Sequence, residues 1–547
     1  MLLALPLFLV FHFLSLGIGF ARAQNHVALD AVDSHTDQPI PARIEFTKSG
    51  KKLNRDRKAL IAGDTWLVEG SQLIQPPPGD YEFMARRGPE FNVIHGGFTV
   101  ERGTRDSILI EIPRSVDMHA ENWFSGDMSA EVSSSDLARW QVADALDMAI
   151  HARVLSSKNP QTAEPKKTAS AKKKKPDDAP EFTDPDLVGY RWMNEAIEFR
   201  SPDLGLAIHR LSEAHLAKTG IDAMLPEGSA YGLLNGTRED AEVLGELTQL
   251  WSRDVPILLA YPQVRCARIL GIANRPKKDE LLTISKQPDA PEFGKVLISL
   301  GTDRLSSPIA APLPPQDKLR YQGNLGIGLM SESLYWLMLD AGLRIAPTAG
   351  SGFGRGDTHL GYNRVYAYCD SEPSPDAWWR AVARGATTIT NGPLLRTTIN
   401  AAVPGTVQAS YAGTPIPLSI AVALAVREPV DYLDLVFNGE TLYSAKLEDH
   451  FKKGEFPELS IDRSGWLVVR VVTAHEDGYR LATTAPYYFE FDGQPRISKR
   501  AVAFFQEWLT RSEQAIANDP QRAADMAPMI EDARRFWADR MDRSNAP

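Results

Sequence analysis

The chain has 547 residues, of which 43% are hydrophobic and 24% charged, and its formal net charge is -10. Those proportions are globular, and the length predicts roughly three domains, each able to bury its own core. The acidic balance excludes nucleic acid as a partner, which would want a basic surface, and two cysteines, Cys266 and Cys369, are too few for a disulfide framework. One bridge between them or two buried thiols both remain open.

Residues 1–23 are almost wholly apolar and end in Ala21-Arg22-Ala23, the small-residue pattern a signal peptidase reads. The expectation is therefore an exported protein, periplasmic, extracellular or in the cell envelope, with no transmembrane domain in its mature chain. Residues 24–115 alternate in short apolar runs, such as Ala42-Arg43-Ile44-Glu45-Phe46 and Tyr81-Glu82-Phe83-Met84-Ala85. With the turn at Pro76-Pro77-Pro78-Gly79-Asp80, they predict a small antiparallel β-sandwich.

From 116 to 393 short strands alternate with helices. Residues 136–154 show helical periodicity, with Leu137, Trp140, Ala143, Leu146 and Ile150 on one face and His151 just beyond it. Residues 156–186, with Lys172-Lys173-Lys174-Lys175, are too polar to bury a core and predict a disordered insertion. Residues 329–341 read as a helix stopped by Gly342, and residues 375–384 as another followed by Gly385. In the second helix Trp378-Trp379 is expected in the core rather than as a sugar-stacking platform. Residues 394–497 predict a second β-sandwich, with a strand over 432–437 turning at Asn438-Gly439 and a further strand over 466–472. Residues 498–547 predict a helical tail that packs back through Phe504, Phe505, Trp508 and Leu509.

Several motifs stand in a recognisable order. They are Arg87-Gly88-Pro89-Glu90-Phe91, Asn122-Trp123-Phe124-Ser125-Gly126-Asp127-Met128, Ala349-Gly350-Ser351-Gly352, Gly361-Tyr362-Asn363-Arg364-Val365-Tyr366, Thr390-Asn391-Gly392-Pro393-Leu394 and Ser464-Gly465-Trp466. Together they resemble the CehA/McbA-type metallohydrolases of the polymerase-and-histidinol-phosphatase (PHP) superfamily. The resemblance implies a central distorted (β/α)7 barrel between the two sandwiches, with metal ions at the carboxyl ends of its strands. There a divalent cation would lower the pKa of a bound water that attacks an ester, phosphoester or amide-like bond.

The chain departs from that pattern where the metal would sit. Ser129, Ala130 and Glu131 follow Asp127-Met128 where the family carries His-x-His, and Gly271-Ile272-Ala273-Asn274-Arg275 ends in Arg where the family carries His. Serine is a poor ligand for zinc, and arginine is a fixed cation that repels a metal. The metal candidates left are Asp127, Glu131, Asp357 and His359. Asp127 and Glu131 are also the catalytic candidates, although Asp127 alone could simply orient its loop, and His359 could be a plain loop histidine. Ser351, Asn363 and Arg364 are candidate ligand-positioning residues; Ser351 lacks the Gly-x-Ser-x-Gly elbow of a nucleophile, and Arg364 could bind an anion or pair with an acidic neighbour. His209 and His215, six apart, share no helical face and carry no assigned role. The sequence therefore points to a degenerate metallohydrolase that binds or scaffolds a small molecule, glycan or peptide, with no resident cofactor. The alternatives are a divergent hydrolase with one Mg, Mn or Zn ion, and a structural envelope protein.

Overall fold

The computed structural model describes residues 25–48, 51–52, 61–62, 65–130, 134–156, 184–200, 206–209, 231–234, 257–260, 336–344, 346–349, 351, 353, 359–427, 430–475, 478–518 and 520–547. The signal-like run, Glu131, the Lys172–Lys175 block, His215, Cys266, Arg275 and Asp357 lie outside them.

Alternation builds the N-terminal unit. In His26–Asp33 every second residue is buried, and Val27, Leu29 and Ala31 enter the core while their neighbours face out. This strand sits between Ser71–Ile74 and Arg105–Ile112. Pro41–Lys48, Thr65–Glu69, Gly79–Arg86 and Ile94–Val100 form the larger part of a second sheet. Both sheets contribute to one core around Ile44, Phe46, Trp66 and Phe83. The expected strands over 42–46 and 81–85 are present, but the arrangement is not purely antiparallel, because His26–Asp33 pairs with Arg105–Ile112 in parallel. Parallel partners need a crossover, and here most of the unit's chain runs between them.

The middle region differs from the expected long helix. A helix covers Ser134–Ala143 and stops at Ala145, whose φ is +47°. The chain then turns and Met148–Ser156 runs as a strand parallel to Trp123–Ala130. Leu137, Trp140, Ala143 and Leu146 do share one cluster, together with Ala149, but Ile150 belongs to another, around Trp378 and Trp379. A short apolar stretch such as Met148-Ala149-Ile150 fits a buried strand as well as a helix, and burial between layers selected the strand. His151 therefore lies on a strand, not beside a helix face. Residues 184–186, counted in the expected disordered insertion, are ordered: Asp184 accepts a hydrogen bond from the Asp186 N–H (3.0 Å) and caps the short helix Pro185–Val188, whereas residues 157–183 lie outside the described residues.

Among the described residues, one sheet links the middle to the C-terminal part. Its order is Ala346–Thr348, Ile257–Ala260, Tyr231–Leu234, Leu206–His209, Trp192–Arg200, Met148–Ser156, Trp123–Ala130, Arg364–Tyr368, Thr387–Thr390, Gly478–Thr484, Gly465–His475, Tyr432–Phe437 and Glu440–Lys446. Pairings are mixed: Trp123–Ala130 is parallel to Met148–Ser156 but antiparallel to Arg364–Tyr368. The architecture is thus multi-domain and mostly β-sheet with few helices.

Later elements follow their local signals. Ser374 accepts a hydrogen bond from the Ala377 N–H (3.1 Å) and starts the helix Pro375–Ala383, which ends before Gly385 at φ +79°. Trp378 and Trp379 are fully buried. The hairpin between Tyr432–Phe437 and Glu440–Lys446 turns on Asn438 and Gly439, both at positive φ. The helices Lys499–Ile516 and Pro520–Asp542 form the tail, where Phe505 stacks on Trp537 with ring centroids 4.7 Å apart. Arg540 donates to the Ala341 carbonyl (2.8 Å), fixing the tail on the end of the helix that Gly342 terminates. No helix among the described residues is long and apolar enough to cross a membrane.

Candidate functional site

Asp127 lies in the strand Trp123–Ala130 and is fully buried. Its Oδ1 accepts the backbone N–H of Ser351 (3.0 Å), and its Oδ2 accepts the backbone N–H of Gly361 (2.7 Å) and the Ser351 hydroxyl. One carboxylate therefore ties two loops to the strand. Gly361 is required there, since its φ is +67° and an added Cβ would lie 2.5 Å from the Arg364 guanidinium. Arg364 in turn donates from Nε to the Gly361 carbonyl (2.7 Å).

The structure thus brings together Asp127, Ser351 and Arg364, with Asn363 buried in the same loop. His359 lies half-buried two residues before Gly361, its ring edge-on to Tyr362 at 5.2 Å. Burial lowers its pKa well below the usual imidazole value, and the nearby guanidiniums of Arg43, Arg86, Arg364 and Arg427 lower it further. Among the described residues, no three His, Cys, Asp or Glu side chains gather closely enough to hold a metal ion.

The Ser125-Gly126-Asp127 motif has a packing explanation for each member. Trp378 donates its indole N–H to the Phe124 carbonyl (3.0 Å), and its ring lies so close to Gly126 that an added Cβ would be 2.2 Å from it. Ser125 donates through both N–H (2.7 Å) and hydroxyl (2.9 Å) to Asp147 Oδ2. Asp147 Oδ1 meets His119 Nε2 at 2.8 Å and the Tyr190 N–H at 2.9 Å. Burial opposes the charge on both partners. Their attraction outweighs it, raising His119 to about 9 and holding Asp147 below the usual carboxylate range. The Asp147 carboxylate stands between serine and imidazole, so the imidazole cannot take the serine proton as a general base would.

A second charged group went unread in the sequence. Arg43 Nη2 meets Asp144 Oδ1 at 2.7 Å, with both side chains buried. Arg364, Arg87 and Arg427 also act on Asp144; burial pushes its carboxyl up, and the guanidiniums pull it back without fully offsetting that. Arg87 is anchored by the Pro41 and Leu187 carbonyls, and Glu90 binds Arg114 (2.9 Å) and the Tyr366 hydroxyl (3.2 Å). The Arg87–Phe91 motif is therefore a joint between the N-terminal sheets and the middle region. These partners are far apart in the chain, so no local spacing announces them. The Thr390–Leu394 motif is also structural: Asn391 exchanges hydrogen bonds with the backbone of Leu481 (2.8 and 3.1 Å), and Thr390 accepts the Gly392 N–H (2.9 Å).

Comparison with protein-family models, with curated proteins and with solved structures finds no match to this chain.

Proposed function

We propose that the protein is an exported binding or scaffolding protein on a PHP-like body that has lost metal-dependent hydrolysis. The observation that carries this reading is the occupation of Asp127. Its carboxylate, where the resemblance implies a metal ligand, is engaged by three donors from Ser351 and Gly361. The other described candidate, His359, stands among guanidiniums, whose charge opposes a divalent cation. This donor set does not suit the implied metal, and no catalytic step is drawn through one. What remains is a tied pair of loops beside a group of guanidiniums, an arrangement suited to holding structure or a ligand rather than to activating water.

The test is a hydrolysis screen of the mature chain on generic ester, phosphoester and amide substrates, with Mg, Mn or Zn supplied in turn. The expected result is no turnover above buffer. Turnover that Asp127→Ala abolishes, in a variant that remains folded by circular dichroism, would overturn the reading.

A further inference from the structure

We propose that an uncharged flank of the C-terminal sheets, along the edge strand Ile420–Ala425, is the interface at which two copies of this chain join, strand to antiparallel strand. The proposal is independent of the lost-hydrolysis reading. Residues 397–426 contain no Asp, Glu, Lys or Arg, in a chain of which those types make up 24%. The segment nevertheless lies at the surface. It holds Val407, Tyr411 and Val426, half of the large hydrophobic side chains exposed among the described residues, with Tyr411 at 77%. Exposed apolar groups gathered in this way mark association surfaces, whereas scattered ones do not.

The strand itself selects the kind of partner. Ile420–Ala425 pairs antiparallel with Leu394–Ile399 and, among the described residues, with no other strand. Its outer edge presents about 20 Å of backbone donors and acceptors, which another strand satisfies. Within the strand no proline, charge or bulge guards that edge. Ile420, Val422 and Leu424 pack towards the core they share with Leu395 and Ile399, yet they stay partly exposed where Leu395 and Ile399 are 1% and 0% exposed. The core is open along this edge, and a strand added there would close it.

Two features select a second copy as that strand. Ile420-Ala421-Val422-Ala423-Leu424 is self-complementary. Turned about a two-fold axis at Val422, it sets Ile420 opposite Leu424 and Ala421 opposite Ala423, with the core sides of both copies on one face. Charge points the same way. At a net -10 two copies repel, and a flank built from uncharged residues lets them meet without setting like charges face to face.

The experiment is sedimentation velocity of the mature chain from low to high micromolar concentration, with native folding of each variant checked by circular dichroism. A concentration-dependent dimer is expected. Ala421→Lys combined with Ala423→Lys changes two exposed positions and sets lysines opposite one another across the joint, so it should weaken the dimer at least about tenfold. Val426→Lys, exposed just beyond the strand, should weaken it about two- to fivefold. Leu109→Lys, exposed on the N-terminal sheet, should leave it unchanged. A chain that stays monomeric throughout would overturn the proposal and leave the edge to a strand of another protein. A dimer that the natively folded flank variants leave intact would overturn it as well. Neither outcome touches the loss of hydrolysis, which the substrate screen decides separately.

Discussion

Asp127 illustrates how a residue expected to do chemistry can instead hold structure. Removing its side chain in Asp127→Ala strands the buried N–H groups of Ser351 and Gly361 and the Ser351 hydroxyl. Each orphaned donor costs about 1–3 kcal/mol, so a loss of roughly 3–5 kcal/mol is expected by urea unfolding. A loss below about 1 kcal/mol would show that the clamp is not structural. The His119–Asp147 pair carries a pH signature. His119 is raised from 6.5 to about 9, so its contribution is fully present below 6.5 and is lost as pH rises through 9. Asp147 is depressed, so its contribution is present above its ordinary 3.8 and is lost as pH falls through its folded value. The stability difference between the wild type and His119→Gln should therefore be largest near pH 5, on the order of 3 kcal/mol, and should shrink steadily towards pH 9. A difference that is flat with pH would contradict the ion pair.

At the scale of elements, the strand Trp123–Ala130 and the helix Pro375–Ala383 are fitted to each other through Gly126 and Trp378. Gly126→Ala should cost about 1–3 kcal/mol by overpacking, and Trp378→Leu should remove most of that penalty in the double variant. Additive losses in the cycle would place the strain elsewhere. Elements with local punctuation were legible in the sequence. Gly385, Gly342 and Asn438-Gly439 each act through their own backbone, and the structure has a helix end or a turn at each. The 136–154 stretch reads as one helix because Leu146 and Ile150 continue the periodicity of the helix before them, although Met148–Ser156 is a strand. Layering decides between the two, and layering is not local. The candidate site divides the same way. The nearness of Ser351 and Arg364 to Asp127 followed from motif order, whereas the Asp144 and Asp147 groups join residues tens of positions apart and left no spacing to read.

For the whole molecule, one sheet and a shared core cluster join the middle to the C-terminal part, and particular contacts add to them. Arg87, Glu90 and Arg43 join the N-terminal sheets to the middle region, and the tail returns through Arg540 to the Ala341 carbonyl and through the Ser498 N–H to the Asp340 carbonyl (2.7 Å). Deleting residues 498–547 should release the helix end at Asp340 to Gly342, which Ser498 and Arg540 hold, and speed proteolysis there, read by limited digestion and mass spectrometry. An unchanged digestion pattern would mean the tail is dispensable to the body.

The central claim is that Asp127 serves hydrogen bonding where a metal centre would otherwise stand. Elemental analysis of the mature chain, purified without chelator, addresses it most directly. The account predicts well under one divalent ion per chain. One or more tightly held ions per chain, lost in a folded Asp127→Ala variant, would contradict it.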